Sequence, residues 1–319
     1  NIFMDYNKDT VYRFRPRFND QVNDYWMCDE GRLSYKNINE SRFLEPVSNG
    51  NLIEYNEAIN QLMSMIKATK ARSTPKSVAA VASPFSSVED NWMLSIFMKT
   101  VVGSDKIFGV DFRADGFEDQ LLIRADKTPN RKGLDYLEID RNKDSLIKAL
   151  ESKEIKLLII MNNDIVGEGG NEIKKLLEGV EVISLSTHHN ETSKTALLSI
   201  PVSMYSEKFG SIVNFEGQLQ KFNTAFDSFD KEDSMATPEW ELFANLVKDF
   251  DPEKHYYDVE DIWADLRNKI KAFSGISFYD IGESGINIPQ KLEKEADAER
   301  KLQEEKAATE AVEPEVISN

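Results

Sequence analysis

Three short stretches of this chain are apolar almost without interruption: Val78 to Ala82, Leu157 to Met161 at the end of a segment starting at Lys156, and Val182 to Leu185 within Glu181 to Ser186. A strand with one wet face alternates apolar and polar residues, so runs like these belong to strands covered on both sides. Helical patterns separate them. From Tyr55 to Lys70, Ile59, Leu62, Met63 and Ile66 recur at three- and four-residue spacing. Ser87 reads as the N-cap of a helix whose broad apolar face, Asn91 to Met98, runs up to Gly103. Further helices are predicted over Asp144 to Glu151 and Asn171 to Leu177. Strands and helices in alternation require an α/β fold, with parallel sheets covered by helices.

The flanks differ. Val11-Tyr12-Arg13-Phe14-Arg15 alternates with period two before Pro16, and a second extended stretch is expected at Arg32 to Tyr35. Residues 1–45 therefore read as a small N-terminal β unit closing on Cys28, followed by the α/β body over 46–225. Within the body, Arg113 to Gly133 is punctuated like a loop. Residues 226–290 form a C-terminal helical segment, with Trp240, Phe243, Leu246 and Val247 in one stripe and Ile262, Leu266 and Ile270 in another. After Pro289 the sequence is rich in Glu, Lys and Ala and poor in large apolar residues, so 291–319 is expected to be an acidic disordered tail.

Lys and Arg number 39 against 56 for Asp and Glu, a formal charge of -17. That surface repels phosphate backbones, so nucleic acid is excluded as a partner. The longest apolar runs fall well short of the roughly 20 residues that cross a bilayer, so no direct membrane insertion is expected. A single cysteine rules out an internal disulfide and a self-contained four-cysteine metal site, and fits a reducing compartment. No charged and apolar leader of the secretory kind opens the sequence. It begins at Asn1 rather than Met, and further residues are expected upstream.

Two local patterns suggest ligands, and plainer readings are preferred. Gly167-Glu168-Gly169-Gly170 before a helix resembles a phosphate cradle, but it lacks the order of a dinucleotide loop and a Walker lysine, and Glu168 and Glu172 repel anions. It reads as a turn. His188 and His189, near Glu191, are adjacent and point to opposite sides of an extended backbone, so they read as loop histidines rather than a metal pair.

Three further stretches carry a family resemblance. Val11-Tyr12-Arg13-Phe14-Arg15-Pro16-Arg17-Phe18-Asn19, running through Trp26-Met27-Cys28-Asp29-Glu30-Gly31-Arg32, resembles the approach to the fourth cysteine of a Cys-x2-Cys-x3-Cys-x27-Cys motif. Gly116 to Asn130 is similar to an Asp-Lys-x-Pro-Asn loop. Ile200 to Gln220 looks like a Leu-Pro-x-x-x-x-x-Glu-x-x-Gly-Thr-x-x-Asn-x-Glu-Gly-Arg-x-Gln signature, with Ile200 for Leu, Ser211 for Thr and Gln218 for Arg. Together they resemble the large iron-sulfur subunit of respiratory NADH:quinone oxidoreductase, complex I, in its molybdopterin-oxidoreductase-like C-terminal part.

The resemblance implies a reduced molybdopterin-oxidoreductase-like fold without its own molybdenum active site, and no molybdopterin. Cys28 is implied as a metal ligand, the last of four for a [4Fe-4S] cluster completed by cysteines upstream of Asn1; no catalytic residue is assigned. Glu207, Lys208, Asn214 and Glu216 lie where catalytic relatives bind pterin and are assigned to structure. The implied work is electron transfer and scaffolding from NADH toward quinone in the peripheral arm. The implied partners are other peripheral-arm subunits, including the NADH-oxidising flavoprotein, on the cytoplasmic or matrix side of the membrane. The alternatives are the large subunit of a soluble formate dehydrogenase or hydrogenase-linked diaphorase, and a structural subunit with no cluster.

Overall fold

A computed structural model describes residues 1–228 and 234–310. It opens with a hairpin of β1 (Ile2–Asn7) and β2 (Thr10–Pro16), then short helices α1 (Asp29–Leu33) and α2 (Lys36–Asn39). Strands β3 (Val47–Ser48) and β4 (Asn51–Leu52) lead into α3 (Tyr55–Arg72). The body follows as β5 (Val78–Val81), α4 (Val88–Phe97), β6 (Ile107–Phe108), α5 (Arg131–Tyr136), α6 (Lys143–Glu151), β7 (Leu157–Met161), α7 (Ile165–Leu176), β8 (Glu181–Ser186), α8 (Glu191–Thr195) and β9 (Leu198–Pro201). The chain ends with β10 (Gly210–Val213), β11 (Gln218–Phe222), α9 (Glu239–Phe250), α10 (Val259–Lys269), β12 (Ile286–Asn287) and α11 (Ile288–Glu310).

The fold is α/β. Its central sheet has the order β4-β3-β9-β8-β7-β5-β6, parallel from β6 through β9, with β3 and β4 added antiparallel at one edge. The uninterrupted apolar strands divide by parity, because successive side chains leave opposite faces. Val78, Ala80, Leu157, Ile159 and Met161 join a core with α3, α4, α9 and α10. Ala79, Val81, Leu158 and Ile160 join a second core with α6 and α7. Each fully buried Leu or Ile contributes about 1.5–3 kcal/mol, so the sheet is held from both sides.

Helix α4 starts where its sequence says it should. Ser87 Oγ accepts from Asp90 N at 3.0 Å while Asp90 Oδ2 accepts from Ser87 N at 2.9 Å, a closed capping box. Its last turn widens over Met98 to Val102 and stops at Gly103, whose φ of 79° suits glycine and lets its N–H reach Met98 O at 2.9 Å. Helices α9 and α10 share the core of the body, with Phe97 and Phe243 rings 5.1 Å apart and Trp263 fully buried.

Three expectations are corrected. Arg32 to Tyr35 is not extended: α1 occupies Asp29–Leu33, because Cys28 caps it and Asp29 and Glu30 favour the positive end of a helix. The helix expected from Asn171 begins at Ile165, capped by Asp164 Oδ1, which accepts from Gly167 N at 3.1 Å. Gly167 to Gly170 thus lie inside helix rather than in a turn before it, with a kink at Gly170. Residues 291–310, expected as disordered tail, are helical in α11, whose alternating charges suit a solvated helix; residues 311–319 of that expected tail, and 229–233 of the expected helical segment, lie outside the described residues.

A convergence of three segments as the candidate functional site

The three sequence stretches singled out above meet in space. Met27 and Met204 pack on the same small core of Val11, Phe14 and Ile38. Asn130 is fully buried; its Oδ1 accepts from Val213 N at 2.8 Å and its Nδ2 donates to Ser86 O at 2.8 Å. Arg124 stacks over the Phe215 ring at 4.9 Å, and Lys127 reaches Glu30 at 3.3 Å. Segments about 90 residues apart in sequence are therefore joined by side chains at one end of the sheet.

Cys28 sits at that junction as the N-cap of α1. Its Sγ accepts from Gly31 N at 3.3 Å, the thiol is half-buried, and Tyr25 and Trp26 just before it are exposed. The sulfur is thus held by a backbone N–H and stays partly open to its surroundings. It supplies one thiolate, where a [4Fe-4S] cube takes four. Among the described residues no group of three or more His, Cys, Asp or Glu is arranged to hold a metal ion. Donors among the described residues therefore do not complete a cluster.

Glu207 and Lys208 point inward to protein partners. Arg42 and Glu207 form a bidentate pair at 2.9 and 2.8 Å with both side chains 1% exposed, and Glu207 Oε2 also accepts from Met204 N at 2.7 Å. Arg42 further donates to Ile38 O and Thr187 O, tying the N-terminal unit to the end of β8. Lys208 lies 2.7 Å from Asp90 and bonds Glu239 as well; Ser86 Oγ donates to Glu239 and Trp240 N to Asp90. Burial works against the Lys208 charge, but Asp90 and Glu239 outweigh it and hold its pKa above that of an ordinary lysine. Burial, with Asp90 nearby, pushes Glu239 up to about 7 despite Lys208. Glu89, also buried and raised by that burial, accepts from Ser211 N, Ser211 Oγ and Trp263 Nε1.

Asn214 caps the β10–β11 turn, its Oδ1 accepting from Glu216 N and Gln218 N, and Glu216 is exposed. His188 Nε2 contacts Asn37 O at 2.7 Å and Nδ1 contacts Thr187 Oγ1 at 2.8 Å; burial lowers its pKa. His189 packs edge-on against Phe43 at 4.9 Å, and Glu191 pairs with Lys194. The two histidines thus serve different neighbours.

In a doubly wound sheet ligands collect at the carboxyl ends of the strands where the winding reverses, here between β5 and β7. That crevice is closed by the chain itself. Ser83 Oγ donates to Asn162 O at 2.7 Å, and Asn163 Nδ2 donates to Val110 O at 2.8 Å. The open space lies one strand over, beyond the ends of β5 and β6, as a cavity of about 350 Å³.

No family profile matches the chain. A 103-residue match, 34% identical, relates it to the G subunit of NADH-quinone oxidoreductase from Rickettsia conorii. The chain resembles that oxidoreductase subunit. The match covers 31% of this chain and 15% of the rickettsial protein, so it spans a small part of the curated relatives' length. A weaker match, 24% identical over 144 residues, reaches the F420-dependent formate dehydrogenase 2 subunit alpha of Methanococcus maripaludis and covers 44% of this chain and 21% of that protein. Among solved structures, acetylene hydratase from Pelobacter acetylenicus superposes with a TM-score of 0.60 at 9% identity, over 88% of this chain and 71% of that one. This likeness concerns the fold alone, and it agrees with the α/β class, parallel strands covered by helices, that the sequence pattern implies.

Beside these likenesses, the charged residues that sequence reading missed stand out. Arg42, Glu89, Asp90 and Glu239 are all buried and all ion-paired or hydrogen-bonded to the signature stretch. One signal was available: Ser87 followed three residues later by Asp90 is a capping-box pattern, and it marks a carboxyl fixed at a helix start. The partners of Arg42 and Glu89 lie 165 and 122 residues away and that of Glu239 lies 31 away, where no spacing rule reaches. Among the described residues no helix is long and apolar enough to cross a membrane.

Proposed function

We propose that this chain is a scaffold and electron-transfer module of an oxidoreductase complex of the NADH:quinone type, without a molybdenum site of its own. The supporting observation is the commitment of the signature stretch to internal partners. Glu207 is spent on Arg42, Lys208 on Asp90 and Glu239, and Ser211 on Glu89. Buried polar groups satisfied in this way hold segments in register and have little capacity left for a large cofactor. A cavity of about 350 Å³ is at the low end for one drug-sized ligand, and two pterin dinucleotides need far more.

On this reading Cys28 is one corner of a [4Fe-4S] cluster, the other three thiolates coming from polypeptide outside this sequence. The exposed Tyr25, Trp26, Phe18 and Tyr12 around it would face neighbouring subunits of a peripheral arm, among them the NADH-oxidising one. Affinity purification of the intact complex from its native host, through a tag on this protein, tests the proposal. Iron without stoichiometric molybdenum, together with NADH-driven quinone reduction, is the expected result. Stoichiometric molybdenum with formate-driven reduction would replace it with the formate dehydrogenase alternative.

A further inference from the structure

Between β6 and α5 the chain runs through a loop, Gly116 to Ala125, that is fixed by its own hydrogen bonds. Gly116 N donates to Ala125 O at 2.9 Å and Asp119 N to Ile123 O at 3.0 Å. Asp119 Oδ1 accepts from Leu121, Leu122 and Ile123 N at 2.8, 2.7 and 2.9 Å, and Glu118 Oε2 accepts from Ala125 N at 3.0 Å. At the base, Arg124 lies over the Phe215 ring at 4.9 Å and Lys127 reaches Glu30 at 3.3 Å. Yet Leu121 is the most exposed large apolar side chain among the described residues, at 72%, and Phe117 stands at 70%. A slack loop would fold such side chains inward, away from water; here the bonds around Asp119 fix the backbone with both exposed.

We propose that this loop docks on a neighbouring protein subunit, with Phe117 and Leu121 entering an apolar pocket rimmed by Lys and Arg. Charge selects that partner. From Ala114 to Ile123 the only charged residues are Asp115, Glu118 and Asp119. The bonds from Ile123, Leu122 and Leu121 lower the Asp119 pKa, so its carboxylate stays ionised, and the Asp115 side chain is 72% exposed. Apolar side chains flanked by carboxylates alone match a basic protein surface. They do not match an anionic lipid surface, which draws segments flanked by Lys and Arg. A second copy of a chain with net charge -17 is disfavoured for the same reason. The fixed backbone favours binding further, because little ordering remains to be done when the partner arrives. This inference rests on the multisubunit reading given above and adds to it a surface and the chemistry of its partner. Phe117 and Leu121 are not among the aromatic residues around Cys28 assigned there to subunit contacts.

Photo-crosslinking in the intact complex tests it, with benzoylphenylalanine placed in the tagged protein at Phe117, at Leu121 or, as a control, at the exposed Leu52 of β4. After purification from the native host and irradiation, both loop probes are expected to join one and the same other subunit, at an apolar segment carrying Lys or Arg. The Leu52 probe should not reach it. Phe117→Ser/Leu121→Ser should weaken binding of that purified subunit at least about ten-fold, with the urea midpoint unchanged because both side chains are exposed. Asp115→Lys should weaken it by a smaller factor that shrinks as salt rises. A complex that assembles while both loop probes react only within the chain, with a second copy or with lipid would overturn the inference and leave the multisubunit reading intact. So would a captured subunit whose binding the double substitution leaves unchanged. A protein that purifies with no other chain would overturn both.

Discussion

Arg42 and Glu207 face each other through two parallel hydrogen bonds deep inside the protein, 165 residues apart in sequence. The pair joins the N-terminal unit to the signature stretch, and both partners are fixed again by backbone groups of Ile38, Thr187 and Met204. Removing one partner strands a buried charge. Glu207→Ala is expected to lower stability by about 3–5 kcal/mol in urea denaturation, whereas the paired replacement Arg42→Met/Glu207→Leu recovers most of the loss. Equal losses in the single and paired variants would show that the ion pair does not hold this junction.

The carboxyl of Glu239 gives stability a pH dependence. Its folded pKa, about 7, lies above the ordinary value of 4.5, so between these limits the folded state binds the extra proton. Stability from this group is therefore present at low pH and lost as pH rises through 7. Glu89, also raised by burial, acts in the same sense. His188, whose pKa burial lowers, acts oppositely below its ordinary value of 6.5. Denaturation midpoints from pH 5 to 8 should fall less steeply in Glu239→Gln than in the unaltered protein, and identical slopes would contradict the assignment.

Asn130 binds the loop to the β10–β11 hairpin through Val213 N and to the turn before α4 through Ser86 O. Asn130→Ala leaves Val213 N buried and unpaired, at about 1–3 kcal/mol, while Ser86 O keeps its bond from Asn91 Nδ2 at 3.3 Å. Hydrogen exchange is expected to quicken over residues 210–222 while β7 and β8 stay protected. Uniform loss of protection would mean that Asn130 supports the whole core rather than this junction.

Much of the body was legible from local pattern. The uninterrupted apolar strands announced a sheet buried on both faces, and Ser87 announced the start of α4. Stripes at three- and four-residue spacing placed α3, α9 and α10 to within a few residues. Local pattern failed where tertiary partners decide. Asp164 begins α7 six residues earlier than the glycines suggested, because it also accepts from Thr192 N and Oγ1 of the next unit. The charged lining of the cavity beyond β5 and β6 was invisible for the same reason: Arg113, Arg131, Arg141 and Lys143 are scattered in sequence and gathered only by the fold. Cys28 and the signature stretch were legible as motifs, but their contact through Met27 and Met204 was not.

The proposed electron-transfer role depends on whether Cys28 ligates iron. Iron content and the reduced-state EPR spectrum of the intact complex, compared between the unaltered protein and Cys28→Ala, test this most directly. The substitution should remove one cluster signal and about four iron atoms per complex, with the fold of α1 and the central sheet retained by circular dichroism. An unchanged iron count and an unchanged spectrum would contradict ligation, leaving Cys28 as a helix cap alone.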